Sequence, residues 1–124
     1  MKITVPKDCD NAPRRRMIRD LNIAFANADS KEMAEFFHPD IVWEMVGNKT
    51  LNGIAEVLAF LGTATFSKAN ALNLEVIITH GKFASAMGSM RFAKETIAFN
   101  DTYEFTSAAS SKLKKITSFA ISIK

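Results

Sequence analysis

Cysteine is almost missing from this sequence: Cys9 is the only one. An internal disulfide and a cysteine-rich zinc site are therefore excluded. Only two histidines occur, His38 and His80, far apart in the chain and without a carboxylate pair nearby, so no metal-ligand spacing arises. No apolar run approaches the ~20 residues of a membrane span. The polar start from Met1 to Pro13, carrying Asp8 and Asp10, lacks the apolar stretch of a signal peptide. Neither a Gly-rich phosphate loop nor a Gly-x-Ser-x-Gly elbow is present. The expectation is a soluble cytoplasmic protein with no metal, no cofactor and no membrane contact.

What is present fits one ordinary domain. The chain has 124 residues, 48% hydrophobic and 23% charged, which is average globular usage. Its net charge of +3 is carried by the first twenty residues, through Lys2, Lys7, Arg14, Arg15, Arg16 and Arg19. Residues 21–124 balance, so no basic face of the folded domain points to nucleic acid. The arginine cluster reads as a solvated helix face or as a small-anion site. Residues 1–13 read as a flexible leader and 14–124 as a single domain.

Apolar residues at Met17, Ile18, Leu21, Ala24, Phe25 and Ala28 make one side of a first helix. Asp29 with Glu32 resembles a capping box, and Met33, Phe36 and Phe37 form the apolar edge of a second short helix that Pro39 stops. Ile41 to Val46 reads as a strand, turned at Gly47 to Lys49. Gly53 precedes a third helix with Ile54, Val57, Leu58 and Leu61 on its apolar face. Strands are expected over 72–79, 83–92, 96–106 and 113–124, the last with Phe119, Ile121 and Ile123 on one face. Helices followed by a run of antiparallel strands define an α+β fold, with helices on one face of a curved sheet.

Asp101 is the most informative residue. Side chains alternate along a strand, so Ile97, Phe99, Asp101, Tyr103 and Phe105 share a face. A carboxylate on an apolar face must be protonated, hydrogen-bonded or open to a pocket. Desolvation there would raise its pKa and suit it to proton transfer near neutrality. The alternative is an aspartate at a strand bend, paired with a backbone amide or with Arg91. Ile41, Trp43 and Met45 share a face of the first strand, and the indole of Trp43 needs an acceptor if buried. Met87 and Met90, with Phe83 and Phe92, supply soft apolar surface for a ligand cavity, and His80 at a turn is a further lining candidate. A two-residue loop at Lys94-Glu95 sets Gly88 opposite Asp101; one more loop residue sets Met87 or Ser89 there.

From about Arg14 onward the sequence resembles the nuclear-transport-factor-2-like superfamily, in its SnoaL-like and ketosteroid-isomerase-like branches. The residues that carry the resemblance are Ala26-Asn27-Ala28-Asp29, then Met33 to Glu44, Leu51-Asn52-Gly53-Ile54, His80-Gly81-Lys82 and Asn100 to Phe105. The resemblance implies a cone-shaped sheet wrapped around a pocket closed by three helices, and a homodimer packed through the sheet. It also implies three isomerase positions: a tyrosine falling near Leu21, a base near Met45, and a protonated aspartate at Asp101. Only the third is matched, so steroid-type isomerisation is not expected. The Asp-Arg-Asp arrangement of the epoxide-hydrolase branch is met at most by Asp101 and Arg91. Two functions are therefore expected. One is a binding domain for a small hydrophobic molecule, without chemistry. The other is an isomerase, cyclase or hydrolase using Asp101 as acid or donor, assisted by Tyr103 or His80. Trp43, Met45, Met87, Met90, Phe99, Tyr103, His80 and Leu21 are the expected ligand contacts.

Overall fold

The computed structural model describes residues 1–7, 12–63 and 67–123. Cys9, Asp8 and Asp10 lie outside them. In chain order the elements are β1 (Lys2–Thr4), α1 (Pro13–Ala26), α2 (Ser30–Ala34), β2 (Phe37–Met45), β3 (Lys49–Asn52), α3 (Ile54–Leu61), β4 (Ala71–His80), β5 (Phe83–Arg91), β6 (Thr96–Phe105) and β7 (Leu113–Ile123). The strands form one seven-stranded sheet in the order β1-β4-β5-β6-β7-β2-β3. The sheet is open and mixed: β1 runs parallel to β4 and β2 parallel to β7, while every other pairing is antiparallel.

Helix α1 starts at Pro13, whose missing N–H costs nothing in the first turn. It buries Ile18, Leu21, Asn22 and Ala24 against the sheet. Asp29 caps α2 by accepting from the Glu32 amide at 3.1 Å. The expected reach of α2 through Phe37 is not seen. Phe37 already belongs to β2, and Pro39 sits at the irregularity where the β2–β7 register shifts between Phe37 and Val42. A proline donates nothing to a ladder, so strands accept it at such breaks. Gly53 takes φ +86° before α3, and Val57 and Leu61 are buried beneath it, whereas Leu58 is exposed.

Three further elements differ from the sequence reading. Lys2–Thr4, within the expected leader, pairs with Ala71 to Asn73 as an edge strand. Lys49–Asn52, expected partly as turn, returns against β2. The connection between β5 and β6 is four residues long, closed by the Phe92 amide donating to the Glu95 carbonyl at 2.8 Å. Ala86, rather than Gly88, therefore lies opposite Asp101. Two extra loop residues preserve side-chain parity, so the inward face of each strand is unchanged.

The sheet bends sharply where β4 carries one residue more than β5 between Leu74 and Val76. Such a bulge increases local twist and curvature. Gly88 lies under it: a Cβ there would meet the Asn73 carbonyl oxygen at 2.1 Å. The absence of a side chain lets the two strands approach and the sheet curl over the helices. Arg14, read as a solvated or anion-facing residue, does neither. Its guanidinium lies 3.8 Å over the Phe105 ring and donates to the carbonyls of Gly81, Ala108 and Ser110 at 3.0, 2.9 and 2.6 Å. One side chain thus ties the start of α1 to the turn after β4 and the loop after β6.

Candidate functional site

The concave side of the sheet and the three helices border an open-mouthed cavity of about 800 Å³. Strand alternation on β6 places Ile97, Phe99, Asp101 and Tyr103 on its floor, as the parity of the sequence requires. Trp43 and Met45 of β2, Met90 of β5 and Leu21 of α1 line it too. Trp43 stands between two aromatic neighbours, edge-on to Phe25 at 5.8 Å and to Phe60 at 5.9 Å. Those contacts hold the indole in one orientation.

A hydrogen-bonded chain crosses the floor. The Asn22 amide nitrogen donates to the Ile18 carbonyl at 2.9 Å and to the Tyr103 hydroxyl at 3.0 Å. The Tyr103 hydroxyl donates to Asp101 Oδ2 at 3.2 Å. On the other side, Trp43 Nε1 donates to Ser118 Oγ at 2.9 Å, and the Ser118 hydroxyl bonds to Asp101. Burial removes water from the carboxylate and pushes its pKa up to about 6, although the Ser118 and Tyr103 hydroxyls favour the charged form. The Tyr103 hydroxyl is driven well above its ordinary range by its own burial and by the charge of Asp101. Asp101 therefore changes protonation state close to neutrality. No pairing with Arg91 exists, since Arg91 lies opposite Thr96 at the far end of the ladder and is exposed.

Two expected contacts are not in the cavity. Met87 is 39% exposed on the outer face, because it differs in parity from Met90 and one regular strand cannot aim both inward. His80 ends β4 at an exposed turn, beside Phe83, which is also exposed. Neither can assist Asp101. Sequence reasoning also missed Asn22 and Ser118. Asn22 was findable: it falls four residues after Ile18 and three before Phe25, within the apolar stripe of α1. Ser118 was hidden because β7 is apolar on its outer side, at Phe119, Ile121 and Ile123, and turns Ile116, Ser118 and Ala120 to the cavity.

A curved open sheet holding a carboxylate at the floor of a helix-covered cavity defines a class of fold, and the comparisons place the chain within it. Residues 15–112 match the SnoaL-like domain, and the chain belongs to that family. An NTF-2 like protein of unknown function from Burkholderia xenovorans superposes with a TM-score of 0.76 at 14% identity, covering 89% of this chain and 84% of that one. A putative ketosteroid isomerase from Kribbella flavida gives 0.72 at 15% identity, covering 94% and 82%. A putative SnoaL-like polyketide cyclase from Shewanella denitrificans gives 0.72 at 13% identity, covering 89% and 92%. At these identities the likeness is one of fold. No curated protein matches the chain. Among the described residues no helix is long and apolar enough to cross a membrane.

Proposed function

We propose that this SnoaL-like domain binds a small, largely apolar molecule in the cavity, with Asp101 holding the polar group of that molecule. The observation that carries the reading is a carboxylate at the floor of an aromatic and methionine-lined cavity, partnered only by neutral groups. A space of about 800 Å³ lies in the range of small-molecule sites. The test is a thermal-shift screen against steroids, polyketide aromatics, terpene epoxides and lipophilic amines. Free ligand at 100 times its dissociation constant stabilises the native state by about 2.7 kcal/mol. The expected outcome is a hit that weakens in Asp101→Asn; a blank across all classes refutes the reading.

A second reading, acid–base catalysis at Asp101, is supported by a pKa of about 6, which suits proton transfer near neutral pH. Against it, the two other isomerase positions carry Leu21 and Met45, which line the cavity without acid or base function. One positioned group gives roughly 10²–10⁴-fold, so turnover at Asp101 alone is modest.

The same reading includes a homodimer packed through the outer face of the sheet. Ile78, Phe119 and Ile121 are 60%, 54% and 68% exposed there, and Val76, Met87 and Ile123 extend the patch. Val76, Met87, Asn100 and Phe119 form one row across four strands. Exposed apolar side chains grouped in this way support an interaction surface.

A further inference from the structure

We infer that the group a ligand presents to Asp101 is a hydrogen-bond donor, and that the ligand class is a lipophilic aromatic amine bound as its ammonium ion. The inference rests on the ligand-binding reading above and adds the polarity of the bound group.

Counting the hydrogen atoms at the cavity floor leads to it. Both amide hydrogens of Asn22 are engaged, by the Ile18 carbonyl and by Tyr103. The Tyr103 hydroxyl hydrogen is directed at Asp101. The Ser118 hydroxyl, which accepts from Trp43, donates to Asp101 as well. The five donor hydrogens of this network thus all end on protein acceptors. A carboxylate offers about four lone-pair positions, and two are taken. With Asp101 ionised, as it is above about pH 6, the floor can accept further hydrogen bonds and has none left to give. A ketone or carboxylate entering it would meet an acceptor with an acceptor. A neutral hydroxyl satisfies Asp101, and an ammonium group also supplies the charge it lacks, since charge-assisted hydrogen bonds are about twice as strong as neutral ones.

Charge and shape point the same way. Among the described residues that line the cavity, Lys94 is the only cation, and it sits on the exposed loop at the rim beside Glu95, whose carboxylate accepts from Ser122 at 2.8 Å. The hydrogen-bonded groups around Asp101 are neutral: Tyr103 from β6 and Ser118 from β7 bond it directly, and Asn22 from α1 and Trp43 from β2 bond those two in turn. The walls carry Phe25, Trp43, Phe60 and Phe99, and aromatic rings attract cations.

Four anthracene derivatives substituted at the same ring position test this: the methylammonium, methanol, acetyl and carboxylate compounds. Trp43 is the only tryptophan and lines the cavity, so its fluorescence reports binding. At about pH 8 the ammonium compound is expected to bind at least ~10-fold tighter than the methanol, with the ketone and carboxylate weaker still. Its affinity is expected to fall about 10-fold at about pH 5, as Asp101 takes up its proton. Both effects are expected to vanish in Asp101→Asn, which keeps Lys94, Glu95 and Tyr103 and so controls for their charges. The inference is overturned if the ketone or carboxylate binds as well as the ammonium compound, or if the preference survives in Asp101→Asn; the binding reading then stands. Failure of all four to bind overturns both.

Discussion

At the scale of single residues, the chemistry is concentrated in one carboxylate and its two hydroxyl partners. Because Asp101 titrates higher in the folded protein than its ordinary value of 3.8, the native state holds a proton that the unfolded chain has released between about pH 4 and pH 6. Stability therefore falls as pH rises through that window. A shift of this size corresponds to roughly 3 kcal/mol at most. Asp101→Asn, which mimics the protonated form, is expected to remove this component and to be more stable than wild type at pH 7. Urea denaturation of both proteins across that range, with carboxylate-resolved NMR for the pKa itself, checks the sign. An aspartate titrating near its ordinary value would contradict it. Ser118→Ala is expected to raise the Asp101 pKa further, since a donor to the charged form is lost. It should also cost about 1–3 kcal/mol, because the buried Trp43 indole loses its acceptor.

At the scale of elements, two local features hold the fold in shape. Gly88 permits the bulged β4 to approach β5, and the obstructing atom is a backbone oxygen that cannot swing aside. Gly88→Ala is expected to destabilise by about 3 kcal/mol or more and to flatten the sheet, lowering the thermal midpoint and weakening ligand binding together. Arg14 joins three separate segments through its carbonyl contacts. Arg14→Ala is expected to cost about 1–3 kcal/mol, with amide exchange accelerated first at the Gly81 turn and the 107–110 loop. Arg14→Lys should recover little, since an ammonium lacks the planar fork that reaches several carbonyls at once. The cavity floor, built on β6 and β7, should keep its protection in both variants.

At the scale of the whole molecule, the sheet has two apolar faces. The concave one is covered by the helices, and the outer one is bare at Ile78, Phe119 and Ile121. Dimerisation through the outer face predicts a solution mass of twice 13.7 kDa. Ile121→Lys is expected to give a monomer with near-unchanged folding stability per chain, because residue 121 is 68% exposed within one chain. Light scattering at several concentrations reads this directly, and a wild-type monomer would remove the dimer from the proposal. Ligand binding should persist in the monomeric variant, since the cavity is lined from one chain.

The helix stripe of α1, the order of the longer helices and strands, and the inward face of β6 were readable from spacing alone, because 3.6- and 2-residue periods follow from local backbone geometry. Asp101 was legible for the same reason: it interrupts an apolar face of known parity. Its partners were not legible. Tyr103 is two residues away on the same strand, but Ser118 lies 17 residues after Asp101, and Asn22, which donates to Tyr103, lies 79 before Asp101; only folding brings them together. The face of β7 that meets the cavity was likewise undetermined, since its larger apolar side chains point outward, and hydrophobicity does not distinguish a core from a partner surface. The edge strand Lys2–Thr4 and the return strand Lys49–Asn52 are too short to carry a pattern and exist through pairing with neighbours. By itself the sequence determined the longer helices and strands and the placement of the carboxylate. The tertiary structure decided its hydrogen-bond partners, the shape of the cavity and the raised pKa, because these depend on contacts between residues distant in the chain and on the removal of water around them.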